Sequence, residues 1–406
     1  ITPSSNPVNL GSARIGGTLG QALTITNSAP NTGGYTENLG GSVTGTTGAA
    51  SASGSFTGVA QGLNSTAISV GLATGTAGAV NGSATLGFET EAINGSGLGT
   101  ASIGSQTVNL TGAVYQAAEA NTLPTTINLG TVRTGTVVNS TTVPALGLSI
   151  QNVAPTTGGY TENLGASFGA VSSGLAGSGS PITGLAVGNT SNAMALTFTA
   201  GAAGTYNGSA VVNFQTQAIN NSGLSNAGIG SQIVDVDAIV NALADGVVQQ
   251  NGGTYSFSGA ANSGTLNFGA ITQGSGTVDD ALELLNDVTG DADMLTGGYS
   301  PALVGPFSYT PGNGATFSLG DMQASDFDIS FNTDYSPTGF FSETLVIDED
   351  SYNAAQGAMD LKPYDLTIEG TINPAGVSGG VPDASATWLL LGLGLASLVL
   401  VGRRVS

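Results

Sequence analysis

The sequence predicts an all-β protein of tandem antiparallel sandwiches, and three observations carry that reading. Apolar residues alternate with polar ones at a period of two, Gly and Asn-Gly steps punctuate the alternation, and a unit of about 120 residues recurs along the 406-residue chain. The alternation is plain where Ile68, Val70 and Leu72 interleave with Ser69 and Gly71, and where Leu196 and Phe198 flank Thr197. Leu86 and Phe88, Val212 and Phe214, and the terminal pairs Val108/Leu110, Val234/Val236 and Leu366/Ile368 repeat it, so each segment reads as a strand with one buried face. Steps such as Asn81-Gly82, Asn94-Gly95 and Asn207-Gly208 supply residues that accept the positive φ of tight turns.

The repeat is read by self-comparison. Gly33 to Gly40 (Gly-Gly-Tyr-Thr-Glu-Asn-Leu-Gly) recurs letter for letter at Gly158 to Gly165, an offset of 125. Ala92 to Leu98 returns at Ala218 to Leu224, and Ile103-Gly104-Ser105-Gln106 at Ile229 to Gln232, both at 126. Asn9-Leu10-Gly11 matches Asn128-Leu129-Gly130 at 119, so a short insertion separates the two copies before the shared Gly-Gly-Tyr. A diverged third unit opens with Leu266-Asn267-Phe268-Gly269, is expected to carry its Gly-Gly-Tyr at Gly297-Gly298-Tyr299, and closes with Tyr364 to Gly370. The one helix-like run, Asp279 to Leu285, is assigned to the second strand of this unit. About seven short strands per unit predict a sandwich of immunoglobulin type. The expected domains are residues 1–118, 119–245 and an acidic, diverged 246–373, then a linker and motif at 374–387 and a hydrophobic helix with an arginine tail at 388–406.

Composition excludes several function classes. The chain has no His and no Cys, which removes Ser-His-Asp and Cys-His catalysis and imidazole or thiolate metal sites. With 5 Lys+Arg against 26 Asp+Glu it would repel a phosphate backbone, so nucleic acid is not an expected partner. Charged residues make up 8% of the chain, so the wetted surface must be Ser, Thr, Asn, Gln and Gly, as suits extracellular material. Residue 1 is Ile, and the expectation is that the numbering begins after a removed secretion signal.

The run from Asn9-Leu10-Gly11 to Leu23-Thr24-Ile25-Thr26-Asn27, the Asn-Gly-Ser-Ala step and the closing Val-x-Leu-x-Gly resemble the immunoglobulin-like repeats of bacterial choice-of-anchor D proteins. That resemblance covers most of residues 1–373 and implies a secreted array without a catalytic residue to carry over. The chain departs from it in the long Gly/Asn/Ser stretches Asn94 to Ser105 and Asn220 to Ser231, which precede the last strand of each copy.

Beyond residue 373, Val381-Pro382-Asp383 precede an apolar run from Trp388 to Gly402 and then Arg403-Arg404. The 14 residues from Trp388 to Val401 span about 21 Å as a helix, short of a roughly 30 Å hydrocarbon core. The paired arginines place everything before them on the outer side of a membrane. This arrangement resembles the PEP-CTERM class of sorting signals in its Val-Pro-Asp variant. The resemblance implies a transient inner-membrane anchor in a Gram-negative bacterium, processing by an exosortase, and association with exopolysaccharide or biofilm matrix. It makes Val381, Pro382 and Asp383 the recognition residues and Arg403 and Arg404 the retention charges. An ordinary single-pass anchor is the other reading, and it too leaves the domains outside.

The third unit holds most of the acids. If strand B is Ala281 to Asn286 and strand F is Glu343 to Ile347, then Asp287, Asp291 and Asp293 lie on one loop and Asp348, Glu349 and Asp350 on another at the same end of the sandwich. Six carboxylates there would make either a solvated acidic rim or a Ca²⁺ site, since Ca²⁺ takes six to eight oxygen ligands. Tyr35 and Tyr160 could stack on a sugar, but the only Trp is in the C-terminal apolar run and no aromatic cleft accompanies the acids, so glycoside hydrolysis is not expected. The reading is a non-catalytic surface or matrix protein with a structural or adhesive role. Its rivals are a filament subunit joined to copies of itself by strand addition at the Gly-rich stretches, and a carbohydrate-binding module.

Overall fold

The computed structural model describes residues 1–376. Among them the first repeat forms β1 (Val8–Arg14), β2 (Leu19–Thr26), β3 (Asn38–Gly48), β4 (Ala50–Ser53), β5 (Ser55–Val59), β6 (Asn64–Leu72), β7 (Gly78–Glu91) and β8 (Ala101–Tyr115). The second forms β9 (Thr126–Arg133), β10 (Val137–Val138), β11 (Gly147–Gln151), β12 (Asn163–Val171), β13 (Leu175–Gly179), β14 (Ile182–Leu185), β15 (Thr190–Thr199), β16 (Gly204–Gln217) and β17 (Ala227–Asn241). The third forms β18 (Gly246–Gln250), β19 (Ser256–Ala260), β20 (Ser263–Thr272), β21 (Thr277–Asn286), β22 (Met294–Ser300), β23 (Phe307–Thr310), β24 (Thr316–Leu319), β25 (Ala324–Asn332), β26 (Gly339–Asn353), β27 (Gly357–Asp360) and β28 (Tyr364–Asn373).

Each repeat folds into two facing sheets with the same path. In the first, β1-β8-β7-β3-β5 faces β2-β6-β4; in the second, β9-β17-β16-β12-β14 faces β10-β15-β11. The third has β20-β28-β26-β22-β24 opposite β18-β21-β25-β23, with β19 added at the edge beside β20. The fold is therefore all-β and immunoglobulin-like, as expected. The first strand of a sandwich pairs with the last in parallel, however, as β1 with β8 and β20 with β28, so these sheets are mixed rather than purely antiparallel. The intervening strands provide the long crossover that a parallel pair needs.

The alternating side chains fill the cores. Leu23, Ile68, Leu86 and Val114 are fully buried in the first sandwich, and Leu266, Leu282, Ile329, Ile347 and Ile368 in the third. Each such side chain contributes roughly 1.5–3 kcal/mol, and these cores stand in place of the disulfides the chain cannot form. By contact the chain divides into two compact units, residues 1–129, 135–200 and 206–238 in one and 130–134, 201–205 and 239 onward in the other.

Two sequence expectations change. Gly33-Gly34 and Gly158-Gly159 sit in loops with positive φ, whereas Gly297-Gly298-Tyr299 lies inside β22, where Tyr299 is core. Gly297 is there because a Cβ would stand 1.9 Å from the Asp348 carbonyl oxygen, so the third Gly-Gly-Tyr is a packing requirement and not the counterpart of the first two. The Gly-rich stretch before the last strand is also shorter than it reads, since Ala101, Ser102, Gly104 and Ser105 already pair with β7. That part of it is not a free strand. The C-terminal hydrophobic helix, Val381, Pro382, Asp383, Arg403 and Arg404 lie outside the described residues; among the described ones, no helix is long and apolar enough to cross a membrane.

Candidate functional site

Three asparagines mark the same position in the three sandwiches. Asn27, Asn152 and Asn286 stand at the ends of β2, β11 and β21, and each donates its side-chain amide to the carbonyl of the residue that precedes β3, β12 or β22: Glu37, Glu162 and Asp293, at 3.1, 3.1 and 3.2 Å. The same amide reaches a second carbonyl, of Val59, Leu185 or Leu319, at 3.0, 3.1 and 3.3 Å. The pin fixes an acidic residue at one end of every sandwich.

In the second sandwich that acid is used for docking. Glu162 is completely buried and receives Nε of Arg14 at 2.6 Å and Nη2 at 3.1 Å. Arg14 is the last residue of β1 in the first sandwich. Its Nη2 also donates to the Ser225 carbonyl at 2.6 Å, while the Thr216 hydroxyl donates to Glu162 at 2.7 Å. The backbone closes the joint: the Gln116 amide donates to Tyr160 at 2.8 Å, the Glu162 amide donates back to Gln116 at 2.9 Å, and Tyr115 packs on Tyr160 with ring centroids 5.4 Å apart. Burial, with the neighbouring Tyr160 and Glu162 adding to it, pushes the Tyr115 hydroxyl above its ordinary pKa. A two-point guanidinium–carboxylate pair of this kind fixes orientation as well as contributing energy.

The device recurs inside the second unit. Arg133, the counterpart of Arg14 at an offset of 119, donates Nε to Asp293, and its Nη2 donates to the carbonyls of Ser351, at 2.9 Å, and Gly357. Asp293 is fully buried and also accepts from Asn241 at 3.0 Å, Ser351 at 2.9 Å and Asn353 at 2.9 Å. Burial alone would raise its pKa, but the donors Asn353, Arg133, Asn241 and Ser351 outweigh that and hold it below the usual carboxylate range. Ala242 bridges the backbone on either side of Ala292, accepting from Asp293 and donating to Asp291, as Gln116 does around Thr161.

The expected six-carboxylate site does not assemble. Asp287 and Asp291 are on the loop, exposed, but β26 runs to Asn353, so Asp348, Glu349 and Asp350 are strand residues that alternate between its two faces. Asp348 and Asp350 point outward; Glu349 points into the sandwich, 6% exposed, and Asp293 belongs to Arg133. Among the described residues no group of three or more such side chains is arranged to hold a metal ion. Glu349 is instead a buried carboxyl whose Oε1 has no hydrogen-bond partner, pushed up to about 7 by burial and by nearby Asp245. The two tyrosines read as sugar platforms differ: Tyr160 is half-buried against Tyr115, and Tyr35 is 87% exposed.

Sequence reasoning missed both arginines. The signal was present, because the match of Asn9-Leu10-Gly11 to Asn128-Leu129-Gly130 continues three residues further to Arg14 and Arg133, two of only five basic residues in the chain.

No family model and no curated protein matches the chain. Solved structures it is similar to include PcdhgB3 EC1-4, at 11% identity and TM-score 0.37, covering 92% of this chain and 75% of that one. Others are the human desmocollin-1 ectodomain, at 7% identity and TM-score 0.29, covering 91% and 60%, and an I-band fragment of titin, at 9% identity and TM-score 0.26, covering 81% and 94%.

Proposed function

We propose that this is a non-catalytic, extracellular structural or adhesive protein built of tandem sandwiches. It is sorted through Val381-Pro382-Asp383 and held by Arg403-Arg404 until an exosortase-type enzyme releases it to the surface or matrix. The observation that carries the structural part is the Arg14–Glu162 joint: a chain with only five basic residues places one of them against a buried acid of the next repeat, which is what orientation of successive domains requires. Support for an outside location is the polar, weakly charged surface and the terminal cation pair.

The test is mass spectrometry of the mature C-terminus in native cells, together with protease accessibility of the sandwiches on intact cells. The reading expects a terminus near Pro382 and cleavage from outside. Sandwiches protected until lysis, with Arg403 and Arg404 retained, would refute it.

A further inference from the structure

The loop that receives Arg14 in the second sandwich is present, residue for residue, on the first. Gly33 to Gly40 is identical to Gly158 to Gly165, and three of the bonds that shape the loop recur. Thr32 and Thr36 hydroxyls are 2.8 Å apart, as are those of Thr157 and Thr161; Thr36 donates to the Pro30 carbonyl at 2.7 Å, as Thr161 does to Pro155 at 2.6 Å. Asn94 donates to the Gly34 carbonyl at 3.0 Å and Asn220 to that of Gly159 at 2.8 Å, both from left-handed backbone at φ 53°. The shape therefore does not depend on what is docked against it.

Only the cover differs. In the second sandwich Glu162 is completely buried under Arg14 and Tyr160 lies on Tyr115. In the first, Tyr35 is 87% and Leu98 63% exposed, and among the described residues the Glu37 carboxylate has no hydrogen-bond partner. These residues, with Ile93 and Asn94, line an open recess of about 460 Å³.

We infer that the Tyr35–Glu37 end of the first sandwich is a docking surface for one further sandwich of the Arg14-bearing type, which would present an arginine to Glu37 and an aromatic ring to Tyr35. The third sandwich of a second copy does not fit. By strand register, Arg14 opposite Tyr115 corresponds to Thr272 opposite Asn373, so that sandwich carries no cation at the position. Arg14 and Arg133 of another copy are already committed to Glu162 and Asp293. The first sandwich thus carries the acceptor, and the third carries a threonine in place of the donor. This rests on the joint itself and not on where the protein resides.

The test duplicates residues 1–121 in front of Ile1 and follows hydrogen exchange. The Glu37 amide is expected to gain at least about tenfold protection, toward that of the Glu162 amide, and to lose it when the arginine of the added copy is replaced by Ala. Exchange at Glu37 equal to that of the parent chain would overturn the inference. A second measurement uses the parent chain alone: Glu37→Gln is expected to leave its melting temperature unchanged, whereas Glu162→Gln lowers it. An equal drop from both would make Glu37 an internal structural residue and would also overturn the inference.

Discussion

At the scale of single residues, the molecule is organised by where it buries charge. Glu162 and Asp293 are both inaccessible to water, and each is matched by an arginine and by neutral donors, so the cost of desolvation is offset locally. Arg14→Met leaves Glu162 buried without a counter-ion and should destabilise the joint by about 3–5 kcal/mol, read as a loss of urea resistance in the first two sandwiches. Glu349 is the opposite case. Its pKa rises from 4.5 to about 7 because burial and Asp245 disfavour the ionised form, so the stability it permits is fully present below pH 4.5 and falls as pH rises toward about 7. The loss should be about 3 kcal/mol, and Glu349→Gln should flatten the melting profile over that window. Asp293 titrates with the other sign. Its depressed pKa means that its contribution is present above 3.8 and lost as pH falls further, and Asp293→Asn should remove that acid sensitivity.

At the scale of strands, the sequence was read correctly where alternation spoke and misread where composition did. Asp279 to Leu285 has helix-like spacing, yet its inward residues Leu282 and Leu284 fall at period two, and the segment is a strand. The acidic run Asp348-Glu349-Asp350 looks like a loop, but the buried positions Ile347, Glu349, Ser351 and Asn353 continue the alternation without a break, so β26 passes straight through it. Gly297-Gly298-Tyr299 imitates the repeated loop for a different reason. There the strand comes so close to Asp348 that a side chain has no room, and Gly297→Ala should cost more than about 2 kcal/mol, measured as a fall in thermal midpoint confined to the third sandwich. The true third counterpart of Glu37 and Glu162 is Asp293, shown by the shared asparagine pin and invisible to letter matching because nothing around it is repeated. The joint itself needed partners brought together over 148 residues, a distance in sequence across which neither propensity nor period carries information.

At the scale of the whole molecule, a chain with a formal charge of −21 uses few cations, and the two that recur at equivalent positions in the described repeats, Arg14 and Arg133, each meet a buried acid. Because these pairs are buried, moderate salt should weaken them much less than it weakens surface pairs. The central claim is that Arg14 locks the first sandwich onto the second. Hydrogen exchange at the Gln116 and Glu162 amides, which bridge that joint, measures it directly in the native chain and in Arg14→Ala. The account predicts that protection at both amides falls at least about tenfold in the variant while the amides of β7 and β15 are unaffected. Unchanged protection at Gln116 and Glu162 would contradict it.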